Sequence, residues 1–114
     1  MGLLGYYIKY KGQLTFKQEL DKDQLDKAEV ILTELDTDFE ITGAGNGIQW
    51  DYSDNTYTTV ESLNKFLDIM KKEYPDFLGV EGILLAQGND VGNLWYIKVN
   101  EEGRLYAEEI KFEI

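Results

Sequence analysis

The stretch most suggestive of chemistry is the glycine-rich segment Thr42–Gly47, which reads TGAGNG. A dinucleotide-binding fingerprint has the spacing G-x-G-x-x-G and precedes a helix whose N-terminus holds the pyrophosphate. Here the spacing is G-x-G-x-G, the strand-like run IQWDY follows, and no lysine or arginine occurs from Ala28 to Asn64. A phosphate would meet a negative field. We therefore interpret the segment as a hairpin tip in which Asn46-Gly47 supplies turn conformations of positive φ.

Side chains that commonly carry out catalysis are scarce in this chain. It has no histidine and no cysteine, and its two serines, Ser53 and Ser62, do not lie in a nucleophile-elbow pattern. Paired carboxylates could support glycoside hydrolysis or a Mg²⁺ site. With 22 acidic residues, however, some pairs will lie close together by chance. We predict no enzymatic activity, no catalytic residue, no cofactor and no metal, and keep a carboxylate- or metal-dependent enzyme as a third hypothesis.

A calcium-binding loop is suggested by Asp51–Asn55, which reads DYSDN. Such a loop needs glycine at its sixth position for a sharp turn and a bidentate glutamate at its twelfth. Thr56 and Ser62 occupy these positions. We interpret Asp54-Asn55 as a turn before a helix.

The acidic residues are the most informative feature of the sequence. The net charge of −11 disfavours direct binding to nucleic acid or to anionic membranes, and it favours a basic protein partner. The segment from Glu29 to Glu61 has eight acids and no base. If Asp36, Asp38 and Glu40 are extended, strand geometry places them about 6.6 Å apart on one face, like the phosphates of a nucleic-acid strand. The alternative is a solvated strand face, since charge on an edge strand also prevents aggregation.

Aromatic side chains could supply the apolar part of a protein-binding surface. The chain has 8 tyrosines and 2 tryptophans. Trp50 and Tyr96 follow the apolar parity, and we expect most such residues to pack in the core or on a sheet face. We expect Tyr7, Tyr57 and either Trp95 or Tyr96 to lie off the main apolar parity or in a loop. An exposed tyrosine beside carboxylates is typical of a binding hot spot.

Two amphipathic helices are predicted to position these residues. The first follows Asp21, which forms a D-x-x-Q capping box with Gln24. The second begins near Thr58 or Thr59, where Thr58 and Glu61 have capping-box spacing, and ends before Pro75. Its predicted buried stripe is Val60, Leu63, Leu67, Met70 and Tyr74, with Phe66 on the flank.

Alternating apolar residues predict the strands. Residues 6–17 are predicted to form a strand or a hairpin broken at Lys11-Gly12. A second hairpin follows, in which Phe39 and Ile41 point the same way in the first strand and Ile48, Trp50 and Tyr52 share one face of the second. Three further strands cover 83–87, 94–100 and 104–114, and a parity change in the last predicts a β-bulge near Glu108-Glu109.

These elements predict an α+β fold in which two amphipathic helices pack on one face of an antiparallel sheet, in the order β-α-β-β-α-β-β-β. Residues 1–114 show no linker, repeat, membrane span or secretory leader, so we predict one domain and a cytoplasmic location.

Residues 82–103, GILLAQGNDVGNLWYIKVNEEG, resemble a pattern in small uncharacterised bacterial and phage domains. The matching positions are Gly82, Gly88, Asp90, Trp95 and Gly103. The resemblance implies a phage or mobile-element origin and no activity or site residues. By analogy, small acidic proteins from that context often inhibit host defence or nucleic-acid enzymes.

The leading hypothesis is a non-enzymatic binding protein that inhibits or modulates a basic partner, such as a nucleic-acid-binding protein. Its predicted site consists of Asp36, Asp38, Glu40, Asp51 and Asp54 for charge, with Trp50 or Tyr57 as the packing anchor. The alternative is a self-associating accessory protein that pairs through a terminal strand such as Tyr106–Ile114.

Overall fold

The computed structural model describes residues 8–52, 59–88 and 93–110. Several predictions concern residues outside these ranges: the roles of Tyr7, Asp54, Asn55 and Tyr57, the cap at Thr58, the motif position Asp90, and the strand end 111–114.

The predicted α+β class and the order of elements are confirmed. The helices are α1, Lys22–Glu34, and α2, Thr59–Glu73. The strands are β1 Lys9–Lys11, β2 Leu14–Phe16, β3 Phe39–Ile41, β4 Gly47–Trp50, β5 Val80–Gly82, β6 Leu84–Gln87, β7 Leu94–Val99 and β8 Leu105–Glu109. They form two antiparallel four-stranded sheets, ordered β1-β6-β7-β8 and β3-β4-β2-β5.

A bent two-stranded ribbon connects the two sheets. One arm is β1 with β2 and the other is β5 with β6, so each arm crosses from one sheet to the other. Lys9 faces Gln87 on one side of the bend and Leu14 faces Gly82 on the other. The pairing of β1 with β6 and the pairing of β2 with β5 have the same register, so the two arms form one continuous antiparallel pair that bends between the sheets. We call this pair of arms the central ribbon.

Local sequence explains where the helices form. Asp21 accepts a hydrogen bond from the Gln24 backbone N–H at 2.8 Å, and the Gln24 side chain accepts one from the Asp21 N–H at 2.9 Å. This predicted capping box is confirmed. Lys71 donates to the carbonyl oxygens of Pro75 and Phe77, which satisfies acceptors beyond the C-terminus of α2.

One hydrophobic core lies beneath both sheets, and α1 and α2 pack against it and against each other. The centre of α2 contributes Leu63, Phe66 and Met70, each fully buried, so Phe66 is a core residue and does not lie on the flank of the stripe. Asn64 reaches β8 from the same helix. Its amide nitrogen donates to the Leu105 carbonyl at 3.0 Å, and its oxygen accepts from the Leu105 N–H at 2.8 Å.

The predicted bulge near Glu108-Glu109 is wrong. The pairing of β7 with β8 keeps one register from Val99 opposite Leu105 to Trp95 opposite Glu109. No bulge is needed within β8 because every residue of the strand after Leu105 is exposed, so burial of side chains does not require a change of register there.

Candidate protein-binding site

The turn after α1 places the first two predicted carboxylates. The Asp36 N–H donates to the Thr33 carbonyl at 3.1 Å, and the Thr37 N–H donates to the Leu32 carbonyl at 3.2 Å. These two bonds define a Schellman motif, which requires a left-handed residue just past the helix end. Asp36 is that residue, with φ of 53° in a position usually taken by glycine.

Thr37 fixes the chain that leads from this turn into β3. It is 2 % exposed, and its hydroxyl accepts a hydrogen bond from the Phe39 N–H at 3.1 Å. Asp38, which lies between Thr37 and Phe39, has φ of 64°. Its carbonyl oxygen accepts a hydrogen bond from the Asp51 N–H at 3.0 Å. This last bond extends the β3–β4 pairing by one step, so the Asp38 and Asp51 backbones are adjacent.

The predicted row of Asp36, Asp38 and Glu40 at strand spacing is therefore not formed. Two of the three residues are left-handed, because the end of α1 and the anchoring of Thr37 determine their backbone. The three carboxylates still lie within one short segment, but on a turn and the first residues of a strand. Glu40 alone is in β3, where its carboxylate accepts a hydrogen bond from the Gln49 amide at 2.9 Å.

An aromatic pair ends β4 beside these acids. The ring centroids of Trp50 and Tyr52 are 4.7 Å apart, with the planes inclined by 38°. Trp50 is half-buried and also packs edge-on against Tyr10, at 6.0 Å between ring centroids. Tyr52 is 79 % exposed. An aromatic anchor that is supported from behind and open to solvent is typical of binding hot spots.

Tyr52 does not continue the strand face shared by Ile48 and Trp50, so that prediction is wrong. β4 ends at Trp50, and Tyr52 has φ of 67°, which turns the chain out of the sheet. A bulky side chain is rarely found in this region. The alternation of apolar residues extends two residues beyond the strand that forms, which is why sequence periodicity did not identify Tyr52 as an exposed site residue.

Tyr10 supports the aromatic pair from the core. Burial raises the pKa of its hydroxyl, a hydrogen bond with Thr59 lowers it, and the nearby Asp38 carboxylate raises it further, with a net rise. The hydroxyl is therefore held neutral beneath the site.

The loop Thr42–Gly47 lies at the other end of the β3–β4 hairpin. The Gly45 N–H donates to the Thr42 carbonyl at 2.9 Å, and the Asn46 N–H donates to the Thr42 hydroxyl at 3.1 Å. The loop is a turn, but the prediction that Asn46-Gly47 supplies positive φ is wrong. Gly45 does so, with φ of 72°. Gly47 is needed instead for close approach, because a Cβ there would lie 2.3 Å from the Leu14 carbonyl oxygen.

Of the predicted site residues, Asp36, Asp38, Glu40, Trp50 and Asp51 lie on or beside the β3–β4 hairpin at the end away from that loop. Asp54 and Tyr57 lie outside the described residues.

Within the three described ranges, no group of three or more acidic side chains is arranged to hold a metal ion. Neither α1 nor α2 has the length and apolarity that a membrane crossing requires.

The comparisons with known proteins give no relative for this arrangement: the chain matches no protein-family model, no curated protein and no solved structure.

Proposed function

We propose that the protein is a non-enzymatic binding protein that occupies a basic surface on a protein partner. The binding surface would be formed by Asp36, Asp38, Glu40, Trp50, Asp51 and Tyr52. We call these six residues the acidic-aromatic face. Within it, Glu40 pairs with Gln49 on the side of the β3–β4 hairpin opposite to that of Phe39 and Trp50, because successive strand residues alternate. Asp54 and Tyr57, the remaining residues predicted from sequence, would extend it along the chain.

The observation that carries this proposal is where unusual backbone conformations occur. Among the described residues, the non-glycine residues with positive φ are Asp36, Asp38 and Tyr52. All three belong to the acidic-aromatic face. Left-handed conformations cost an L-residue about 1–2 kcal/mol, less for aspartate, and residues held in them cluster at functional sites. The fold therefore tolerates strain where it displays two carboxylates and an exposed aromatic ring.

Electrostatics supports the same proposal for Asp36. Its carboxylate lies at the C-terminus of α1, where the helix dipole is negative and the last turn has no basic residue. Glycine would suit the backbone better, and a lysine would suit the dipole. The presence of an acid at this unfavourable position supports a role in attracting a cationic partner, which would increase the association rate.

The partner class follows from chemistry and from the resemblance of residues 82–103 to phage domains. A surface of lysines and arginines that normally contacts phosphates would meet the carboxylates, while Tyr52 would pack against an apolar or guanidinium surface. We propose that binding inhibits or modulates a nucleic-acid-binding protein in the cytoplasm of the host.

The test is affinity capture from a bacterial lysate at low and high salt, followed by direct titration of each captured protein. The site variant combines Asp36→Asn, Asp38→Asn, Glu40→Gln and Asp51→Asn. Asparagine tolerates the left-handed conformation, and glutamine can still accept the bond from Gln49, so the fold is preserved.

The matched control variant, Asp76→Asn, Glu101→Gln, Glu102→Gln and Glu109→Gln, removes the same charge from exposed positions elsewhere. We expect wild type and control to bind the same basic protein and the site variant to bind it at least about tenfold more weakly, with a reduced salt dependence. Equal affinity and equal salt dependence of the site and control variants would overturn the proposal.

A second candidate, self-association through β8, is favoured by the position of that strand at the edge of its sheet. All β8 residues after Leu105 are exposed, and Tyr106 has 40 % of its surface accessible. Unpaired edges are templates for strand addition. Light scattering over a range of concentrations tests this candidate, and a constant monomer mass would exclude it.

A further inference from the structure

A cleft opens where two neighbouring strands diverge. β4 pairs with β2, at Leu14 opposite Ile48 and Thr15 opposite Gly47. On the other side of the bend at Gly12, β1 pairs with β6 in the other sheet, so β1 and β4 separate. Two adjoining cavities of about 200 and 180 Å³ lie between them.

Aromatic and apolar groups form one part of the cleft. Tyr10, Trp50 and Tyr52 line both cavities, and Leu85 lines the larger one. The Trp50 and Tyr52 rings are already held in contact, 4.7 Å apart. The stacking surface is therefore formed before a ligand arrives, which reduces the ordering cost of binding.

Two lysines also line the cleft, Lys11 in both cavities and Lys9 in the larger one. Lys9 and Lys11 are two residues apart in β1 and pair with Gln87 and Leu85. In the described ranges, the ion pairs involve Lys22, Lys27, Lys98 and Arg104, so neither Lys9 nor Lys11 is neutralised by a carboxylate there. Among the described residues that line the two cavities, none is an aspartate or a glutamate. Lys9 and Lys11 therefore bring two positive charges to a cleft that adjoins Asp51, the residue between Trp50 and Tyr52.

We infer that the cleft binds a small ligand consisting of a planar ring with an anionic substituent. The ring would stack on Tyr52 and Trp50, and the anion would lie between the ammonium groups of Lys9 and Lys11. Each cavity alone is smaller than the roughly 300–1,000 Å³ of sites for drug-sized ligands, and the two together lie near the lower end of that range, so the cleft encloses about one ring with its substituent. An aromatic carboxylate and a mononucleotide, with its base and phosphate, share this chemistry.

The site is distinct from the proposed contact with a basic partner, although Trp50 and Tyr52 belong to both. Lys9 and Lys11 belong only to the cleft. Substitution of the lysines therefore tests the ligand site, and neutralisation of the four carboxylates tests the protein contact.

The experiment is a titration followed by ¹H–¹⁵N NMR, observing the amides of β1 and the indole N–H of Trp50. One arm uses indole-3-acetate and benzoate, and a second uses AMP and UMP. The neutral analogues benzamide and adenosine provide the comparison. We expect one of the two anionic classes to saturate at roughly millimolar concentration or below, and its neutral analogue to bind about tenfold more weakly. The arm that saturates identifies the source of the ligand.

Two variants locate the binding. Lys9→Gln with Lys11→Gln removes the charges, and Tyr52→Asn removes the stacking ring with a residue that accepts φ of 67°. Each should weaken binding about tenfold. The control is Lys22→Gln with Lys65→Gln, which changes two exposed lysines on the helices. Failure of both anionic classes to saturate, or equal affinity of the lysine variant and its control, would overturn the inference.

Discussion

The hydroxyls of Tyr10 and Thr59 lie 2.8 Å apart in a buried hydrogen bond that joins β1 to the first residue of α2. Thr59 is 5 % exposed, so it has little access to water if its partner is removed. We expect Tyr10→Phe to lower the unfolding free energy by about 1–3 kcal/mol at neutral pH, measured by urea denaturation. An unchanged value would show that the bond contributes nothing to stability.

The same variant should alter the response to alkaline pH. The pKa of Tyr10 is raised in the folded protein, mainly by burial, so the unfolded chain loses this proton first as the pH passes about 10. The folded state then binds more protons than the unfolded state, and stability falls as the pH rises towards the folded pKa. We expect the unfolding free energy to fall less between pH 8 and 11 in Tyr10→Phe than in wild type.

The control for that measurement is Tyr106→Phe, which changes an exposed tyrosine. It should keep the wild-type pH dependence. Identical slopes for Tyr10→Phe and wild type would contradict the assignment of this alkaline destabilisation to Tyr10.

The bend of the central ribbon depends on two glycines that face the opposite arm. A Cβ on Gly12 would lie 2.8 Å from the Ile83 carbonyl oxygen, and one on Gly82 would lie 2.8 Å from that of Gln13. Their φ values are 99° and 122°. We expect Gly12→Ala and Gly82→Ala each to cost about 2 kcal/mol or more by thermal and chemical unfolding. Gly43→Ala, where the added Cβ meets open space, is the control and should change stability by less than about 1 kcal/mol.

A substitution at Asp36 is expected to raise the stability of the fold and to weaken binding of the partner. Replacement by glycine removes the left-handed strain and the unfavourable interaction with the helix dipole, so we expect Asp36→Gly to raise the unfolding free energy by about 0.5–1 kcal/mol. The same variant should bind the basic partner more weakly. Asp36→Asn, which removes the charge but keeps a side chain in the left-handed conformation, is the comparison and should gain less stability than Asp36→Gly. A fall in the stability of Asp36→Gly would contradict the Schellman interpretation of this turn.

The stability of the fold should depend on the amide nitrogen of Asn64, which donates a hydrogen bond to β8. Asn64→Asp keeps the shape but replaces the donor to the Leu105 carbonyl by a carboxylate oxygen. We expect a loss of about 1–3 kcal/mol at neutral pH, partly recovered in acid when the new carboxyl is protonated. Asp68→Asn, which breaks the exposed ion pair with Arg104, should cost less than about 1 kcal/mol. Equal effects of the two substitutions would contradict this ranking.

The sequence allowed the helices to be predicted because their determinants are local. The Asp21–Gln24 capping box and the apolar stripe of α2 each depend on residues within a few turns of one another. The division into two sheets could not be predicted this way. It depends on Gly12 and Gly82, each of which approaches the backbone of the opposite arm of the ribbon, and β5 is a three-residue strand with too few side chains to show a pattern.

The residues of the candidate site could be proposed from the sequence, but their backbone conformation and spacing could not. The acids and Trp50 were identified from charge and residue type, which do not depend on the fold. The spacing of Asp36 and Asp38 depends on how α1 ends, and the Schellman bonds at Thr33 and Leu32 override the alternating pattern. Lys9 and Lys11 were missed because the cleft exists only where β1 and β4 separate.

The central ribbon also has a consequence for how the chain folds as it is synthesised. β1 and β2 precede α1, yet their partners β6 and β5 follow α2. The backbone pairing of Lys9 with Gln87 therefore cannot form until Gln87 has been synthesised. Pairing of such distant segments is slow, because a long loop must close before any contact is gained. The first strands therefore leave the ribosome without their main partner, and the core can close only after β5 and β6 have emerged. Until then the nascent chain exposes apolar residues such as Leu14 and Phe16, which is the interval when chaperones would act on it.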